Sequence, residues 1–175
     1  VILSKTFVAP PAQRVLEWLA RQADLDLTLI TPPCWRGDDG GWHPFQPTYT
    51  AGYRVVTLPI ARNGRYHLYT YRRLAATLAG LQPDLLHIDE EPYNLATAQV
   101  LRLARRRGIP AVVVAWQNVP RRYPPPFAWL ERYVYRHAAA VIAGNTGAAA
   151  VARRKGYRGP IHTFSVHGID PADWP

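Results

Sequence analysis

Apolar residues recur along the chain with two alternating periodicities. Short apolar runs predict β-strands, and stripes spaced three and four residues apart predict amphipathic helices. The predicted strands cover residues 1–3, 25–30, 53–60, 85–88, 111–116, 140–143 and 161–166. The predicted helices cover residues 12–22, 67–79, 92–107, 127–138 and 146–155. We expect Gly80 to end the second helix in the left-handed conformation and Asn145 or Thr146 to cap the last one.

Regular alternation of strand and helix is typical of an α/β fold. It predicts a doubly wound, Rossmann-like parallel sheet of about seven strands with helices on both faces. We expect this domain to cover residues 1–166. The longest segment without either periodicity is 31–52, whose four aromatic side chains favour an ordered loop over a disordered one.

Three consecutive acids follow the predicted strand 85–88. Asp89, Glu90 and Glu91 stand directly before Pro92. In an open parallel sheet, ligands bind beyond the carboxyl ends of the strands, so these acids are candidate site residues. The alternative is that Glu91 caps the next helix and Pro92 is its first residue.

A polar segment follows the next strand, 111–116, at the same predicted edge of the sheet. Gln117 and Asn118 carry hydrogen-bond donors and acceptors suited to hydroxyl groups. Arg121 and Arg122 carry guanidinium groups, which can bind two oxygens of a phosphate or carboxylate. Strands adjacent in sequence usually pair, so we expect this segment to lie near the acids. The alternative is an Asn/Pro turn followed by solvated arginines.

Charge and composition narrow the class of protein. The net charge of +9 indicates anionic partners. However, the clusters 105–107 and 153–155 end predicted helices, where cations complement the helix dipole, and we expect both at the sheet edge opposite the acids. Nucleic acid is an unlikely partner because no aromatic and basic platform accompanies the charge. The single cysteine excludes an internal disulfide, and we expect a cytoplasmic location.

Several segments together resemble the N-terminal half of retaining glycosyltransferases of family 4, which have the GT-B fold. The segments are 83–97, the Trp-Gln-Asn loop from 116, 122–127, Ala-Gly-Asn-Thr at 143–146, 154–161 and His-Gly-Ile-Asp-Pro at 167–171. The resemblance covers essentially the whole chain. Its specificity comes from the order and spacing of these segments.

The resemblance implies that this domain binds a hydroxyl acceptor, which is a glycan, a glycolipid or a small molecule. A sugar nucleotide would be the donor substrate, transferred with retention, without a metal and without a tightly bound cofactor. The acceptor-binding residues would be Glu90, Glu91, Tyr93, Gln117, Asn118, Arg121, Arg122 and Asn145, and Lys5 and Arg14 would face the donor phosphates. No catalytic residue is assigned.

The chain also departs from the family pattern. Residues 5–14 lack the paired glycines that often approach the donor diphosphate, and Gln117 stands where a histidine is frequent. Glutamates seven residues apart, a feature of the donor-binding domain, do not occur. We therefore expect that domain to be missing from this chain, with 167–175 as the start of the linker to it.

The alternative function is a free-standing basic domain that binds an anion or a membrane surface without catalytic activity. The aromatic loop 35–49 would lie on anionic lipid together with four arginines, Arg62, Arg65, Arg72 and Arg73. Core packing beneath a solvated rim is the competing interpretation of this loop. A lipid-linked acceptor would combine both functions and imply peripheral contact with the inner face of the membrane.

Overall fold

A parallel sheet forms the centre of the protein in the computed structural model, which describes residues 1–165. Its strands are β1 (Ile2–Leu3), β2 (Thr28–Thr31), β5 (Arg54–Thr57), β8 (Leu86–Ile88), β9 (Ala111–Ala115), β10 (Ala140–Ala143) and β11 (Ile161–Thr163). Two antiparallel hairpins lie outside it, β3 (Cys34–Arg36) with β4 (Trp42–Pro44) and β6 (Ile60–Ala61) with β7 (Thr70–Tyr71). The helices are α1 (Pro10–Ala20), α2 (Leu74–Leu81), α3 (Leu95–Arg107), α4 (Phe127–His137) and α5 (Thr146–Arg154), and a 3-10 turn covers Thr6–Val8.

The strand order places β1 near the middle of the sheet. In space the order is β11-β10-β9-β8-β1-β2-β5, and every pair is parallel. The chain therefore builds outward from β1 in one direction with β2 and β5, and in the other with β8 to β11. The direction of winding reverses between β1 and β8. This confirms the doubly wound, Rossmann-like fold.

Successive residues of the central strands pack into different apolar clusters. Leu3 and Ile30 belong to the cluster that includes buried residues of α2 and α3, whereas Ile2 and Leu29 pack with Leu16 of α1. Neighbouring side chains of a strand point to opposite faces, so both faces of the sheet are covered by helices. This is why the strands are almost entirely apolar.

The predicted helix 67–79 is wrong in its first half. Tyr71 falls within this predicted helix, but it lies in β7, and α2 begins only at Leu74. The side chain of Gln99 in α3 binds both backbone groups of Tyr71, accepting from its N–H at 2.9 Å and donating to its carbonyl at 2.8 Å. This contact between distant parts of the chain holds the segment extended.

The end of α2 also differs from the prediction. Gly80 lies inside the helix, and Gln82 adopts the left-handed conformation with φ of 47°. Gln82 precedes Pro83, and a residue before proline is disfavoured in the right-handed helical region.

The segment 31–52 contains the hairpin of β3 and β4, which its sequence does not reveal. Trp35 in β3 is buried against the rings of Tyr66 and Tyr69, at centroid distances of 5.1 Å each, whereas Trp42 in β4 is exposed. The competing interpretation of this loop, core packing, therefore holds for Trp35. Val166 and the predicted linker 167–175 lie outside the described residues.

Candidate functional site

A cavity of about 560 Å³ opens at the carboxyl ends of β1 and β8. This is the point where the winding of the sheet reverses, and ligands of doubly wound folds bind in the crevice at such a point. Its lining residues are Lys5, Thr6, Asp38, Tyr66, His67, Asp89, Glu90, Glu91, Tyr93, Asn94 and Trp116. Four of them are acidic and one is a lysine, so the cavity is acidic in a chain with a net charge of +9.

Glu90 joins the ends of β1 and β8 through hydrogen bonds. Its Oε1 accepts from the backbone N–H of Lys5 at 3.1 Å and from the Ser4 hydroxyl at 3.4 Å. Its Oε2 accepts from the Lys5 ammonium at 2.5 Å and from the Asn94 amide at 3.2 Å. With both oxygens occupied and only 4% of its surface exposed, Glu90 fixes the shape of the cavity.

The ammonium group of Lys5 is enclosed by aromatic rings as well as by Glu90. Its Nζ lies 5.5 Å from the ring centroid of Trp35, 5.2 Å from that of Tyr66 and 5.5 Å from that of Tyr69. Such cation–π contacts strengthen when they are desolvated. The charge of Lys5 is thus neutralised within the fold, and its expected contact with donor phosphate stays a prediction.

Glu91 has a different environment from its neighbour. Its Oε1 accepts from the backbone N–H of Trp116 at 3.1 Å, while its Oε2 is buried without a hydrogen-bond partner among residues 1–165. Burial raises the pKa of Glu91 to about 7, because water no longer solvates the charged form. Near neutral pH, this carboxyl can accept a hydrogen bond when ionised and donate one when protonated. The alternative role of Glu91 as a helix cap is wrong, since α3 starts at Leu95 with Asn94 at its N-cap.

Asp89 completes the row of acids in the cavity wall. Burial, and next the charge of Glu90, raise its pKa to about 6. Clustered acids of perturbed pKa in a cleft are a common property of functional sites. Asp89 follows β8 directly but is absent from the predicted set of binding residues.

Gln117 is oriented by a lysine from the far end of the chain. The Nζ of Lys155 donates to Oε1 of Gln117 at 3.1 Å and to Oε1 of Glu131 at 2.5 Å. Because an ammonium only donates, the oxygen of the amide faces Lys155 and its Nε2 turns away, buried without a partner among the described residues. The prediction that cluster 153–155 lies away from the acidic edge is wrong for Lys155, whose long side chain reaches back to Gln117.

Aromatic side chains form a further wall of the cavity. The Tyr93 ring lies 4.4 Å from that of Tyr123 and 5.2 Å from that of His67, measured between centroids. Burial, and next the charge of Glu91, raise the pKa of Tyr93, so its hydroxyl stays protonated. An aromatic wall beside acids and amides offers both an apolar face and hydrogen bonds to a ligand.

Family membership agrees with this geometry. The sequence model of the glycosyl transferase 4-like domain matches residues 8–167. The chain belongs to this family. The resemblance to family 4 glycosyltransferases is thereby confirmed, whereas no curated protein matches the chain.

Not every residue to which the resemblance assigns a binding role lies at the cavity. Glu90, Glu91, Tyr93 and Lys5 line it. Gln117 is half-buried and outside its lining, and Asn118, Arg121 and Arg122 are exposed and also outside it. Asn145 caps α5, its Oδ1 accepting from the backbone N–H of Ala148 at 2.8 Å. Arg14 donates to the Tyr49 hydroxyl at 2.8 Å and lies over the Tyr49 ring. The binding roles of all these residues stay predictions.

The cavity of this glycosyltransferase-family domain also contains residues outside the predicted set. His67 is the first residue of the predicted helix 67–79, and Tyr66 precedes it. Asp38 lies between β3 and β4, in the hairpin that the sequence did not predict. Asp89 and Trp116 could be found from the sequence, because Asp89 directly follows a predicted strand and Trp116 immediately precedes Gln117.

No helix within residues 1–165 has the length and apolarity to cross a membrane. Nor do three His, Cys, Asp or Glu side chains of that range group as metal ligands.

Proposed function

We propose that this domain binds the hydroxyl acceptor of a retaining, nucleotide-sugar-dependent glycosyltransferase. The acceptor is a glycan, a glycolipid or a small molecule with a free hydroxyl. The observation that carries the proposal is the carboxyl of Glu91, which has an unpartnered buried oxygen and a pKa near 7. It lies in the cavity at the carboxyl ends of the strands, in a domain of a glycosyltransferase family.

Two unpartnered buried atoms, on residues that follow the neighbouring strands β8 and β9, match the needs of a hydroxyl group. A hydroxyl donates one hydrogen bond and accepts others. Oε2 of Glu91 is a buried acceptor, and Nε2 of Gln117 is a buried donor. Holding one hydroxyl of the acceptor in this way removes rotational freedom of the whole acceptor before transfer, which is a large part of what an enzyme can contribute to a two-substrate reaction.

Charge also favours an uncharged acceptor over a sugar nucleotide in this cavity. The four acids of the lining outnumber its single lysine, and Lys5 is already paired with Glu90. A diphosphate would meet net repulsion there. The first two helical positions of α1 are Pro10 and Pro11, which have no N–H to offer a phosphate. We therefore propose that another domain binds most of the donor.

A chemical-shift titration tests the acceptor site. Methyl α-glucoside, methyl α-mannoside and methyl α-galactoside are added separately to the 15N-labelled protein. We expect at least one glycoside to shift the backbone amides of Glu91, Trp116 and Gln117. At pH 8, where Glu91 is ionised, replacing it by Gln keeps its shape but removes a charge-assisted hydrogen bond, so affinity should fall about tenfold.

The control is Asp24→Asn, an exposed acid outside the cavity lining. This variant should bind the same glycoside as tightly as the unmodified protein. Shifts confined to another surface, or no shifts with any of the three glycosides, would overturn the proposed acceptor site.

A further inference from the structure

His67 lies at the cavity but belongs to neither the acidic row nor the predicted binding set. We propose that His67 binds the acceptor through an unprotonated Nε2, which accepts a hydrogen bond from the hydroxyl that receives the sugar. Asn94 and Glu90 are positioning residues that fix the imidazole in this state. The inference rests on the proposed acceptor site and adds a residue to it.

The first step concerns the orientation of the Asn94 amide. Glu90 is paired with the Lys5 ammonium and is therefore an ionised carboxylate that only accepts hydrogen bonds. The group of Asn94 that lies 3.2 Å from Oε2 of Glu90 must be its Nδ2. Its Oδ1 consequently faces the other way, 3.0 Å from Nδ1 of His67.

The second step concerns the tautomer of His67. Because Oδ1 of Asn94 only accepts, Nδ1 of His67 must carry the proton in this contact. In the neutral imidazole Nε2 is then a bare acceptor. A charged pair at the end of β1 thus sets the proton position of a histidine through one amide.

Further contacts hold the imidazole in place. The carbonyl of His67 accepts from the backbone N–H of Leu95 at 3.0 Å, so backbone and side chain are both tied to the start of α3. The ring makes edge contacts with Tyr93 at 5.2 Å and Phe127 at 5.7 Å between centroids. Among the described residues, Nε2 has no hydrogen-bond partner.

The acids of the cavity give this acceptor atom a particular use. Asp89 and Glu91 line the same cavity, and when ionised each can accept from a hydroxyl of the acceptor other than the one that reacts. A hydroxyl oxygen that is hydrogen-bonded to Nε2 directs its own proton to His67 and leaves its lone pairs free. The nucleophilic oxygen is thereby oriented, and its lone pairs remain available to the sugar carbon.

The proton position is measured by long-range 1H–15N correlation on 15N-histidine-labelled protein at about pH 8.5, where imidazoles are neutral. His67→Gln identifies the His67 signals by their loss. We expect the Nδ1–H tautomer in the unmodified protein. Asn94→Ala should return His67 toward the Nε2–H tautomer, which is the commoner form of free histidine. An Nε2–H tautomer in the unmodified protein would overturn the inference without any variant.

The binding role is measured with the three methyl glycosides. We expect a bound glycoside to shift the Nε2 signal of His67, and His67→Gln to weaken binding about three- to tenfold, as for one hydrogen bond. His162→Gln, at an exposed histidine of β11, should not weaken it. If amides of Glu91 and Trp116 shift but Nε2 does not, the role of His67 fails while the acceptor site stands. If no signal shifts, both proposals fail.

Discussion

Glu90 and Glu91 are adjacent in sequence but differ in how the fold satisfies them. Glu90 receives four hydrogen bonds, one from an ammonium, whereas one oxygen of Glu91 has no partner among the described residues. Burying a carboxylate without such partners is costly, and the group responds by holding its proton. The fold thus uses Glu90 to build the cavity and leaves Glu91 available to a ligand.

The raised pKa of Glu91 predicts a pH-dependent loss of stability. The folded protein keeps the Glu91 proton up to about pH 7, whereas an unfolded chain releases it near the ordinary value of 4.5. Stability therefore falls as pH rises from 4.5 to 7, and the penalty is complete above 7. Glu91→Gln should be more stable than the unmodified protein at pH 8 by roughly 3 kcal/mol and at pH 5 by less than about 1 kcal/mol.

Urea unfolding at both pH values measures this difference. Asp24→Asn serves as the control: it keeps Glu91, so its difference in stability from the unmodified protein should be about the same at pH 5 and pH 8. A stability difference for Glu91→Gln that is the same at both pH values would contradict the account of Glu91.

At the level of single residues, side chains that follow a strand can be placed from the sequence. The acids after β8 and Gln117 after β9 lie at one edge of the sheet, because the carboxyl ends of parallel strands share an edge. The partners of these residues are not visible in this way. The contacts of Glu90 with Lys5 and of Gln117 with Lys155 join residues 85 and 38 positions apart, and only the fold brings them together.

At the element scale, the packing between β9 and β10 supports the cavity wall. A Cβ added to Gly144 would lie 2.2 Å from Cε3 and Cζ3 of Trp116. The Trp116 ring can pack there only because residue 144 has no side chain. The backbone of Trp116 in turn binds Glu91, so the spacing at Gly144 is linked to the site.

Two glycine substitutions should therefore have opposite effects. Gly144→Ala forces the Trp116 ring to move and should cost about 1–3 kcal/mol of unfolding free energy. Gly80→Ala lies at an exposed position of α2 with nothing within 4 Å of the new Cβ, and it should add about 0.5–1 kcal/mol. Urea unfolding measures both. Destabilisation by both variants, or by neither, would contradict this packing.

Helices and strands can be predicted from the sequence where the pattern of apolar residues continues over the whole element. The positions of the parallel strands, and of α3, α4 and α5, agree with it to within a few residues. The segment 67–73 does not follow its helical pattern because Gln99 holds Tyr71 in an extended conformation. A contact of this kind depends on the packing of α3 and leaves no mark in the local sequence.

At the scale of the whole molecule, the excess positive charge lies outside the acidic cavity. The chain is strongly basic, but its cavity is acidic, and Lys5 and Lys155 are each paired with a glutamate. An anion would therefore be better held elsewhere. This distribution favours a domain that receives a neutral hydroxyl acceptor over a domain that binds the sugar nucleotide.

We propose that the cavity binds the acceptor and that another domain binds most of the donor. A competition experiment between the two substrates tests this division. The protein is first saturated with the methyl glycoside that shifts Glu91 and Trp116, and UDP-glucose or GDP-mannose is then added. We expect the glycoside signals to stay at their bound positions and no sugar to be transferred. Displacement of the glycoside from the cavity by the sugar nucleotide, or glycosylation of the glycoside by this chain alone, would contradict this division.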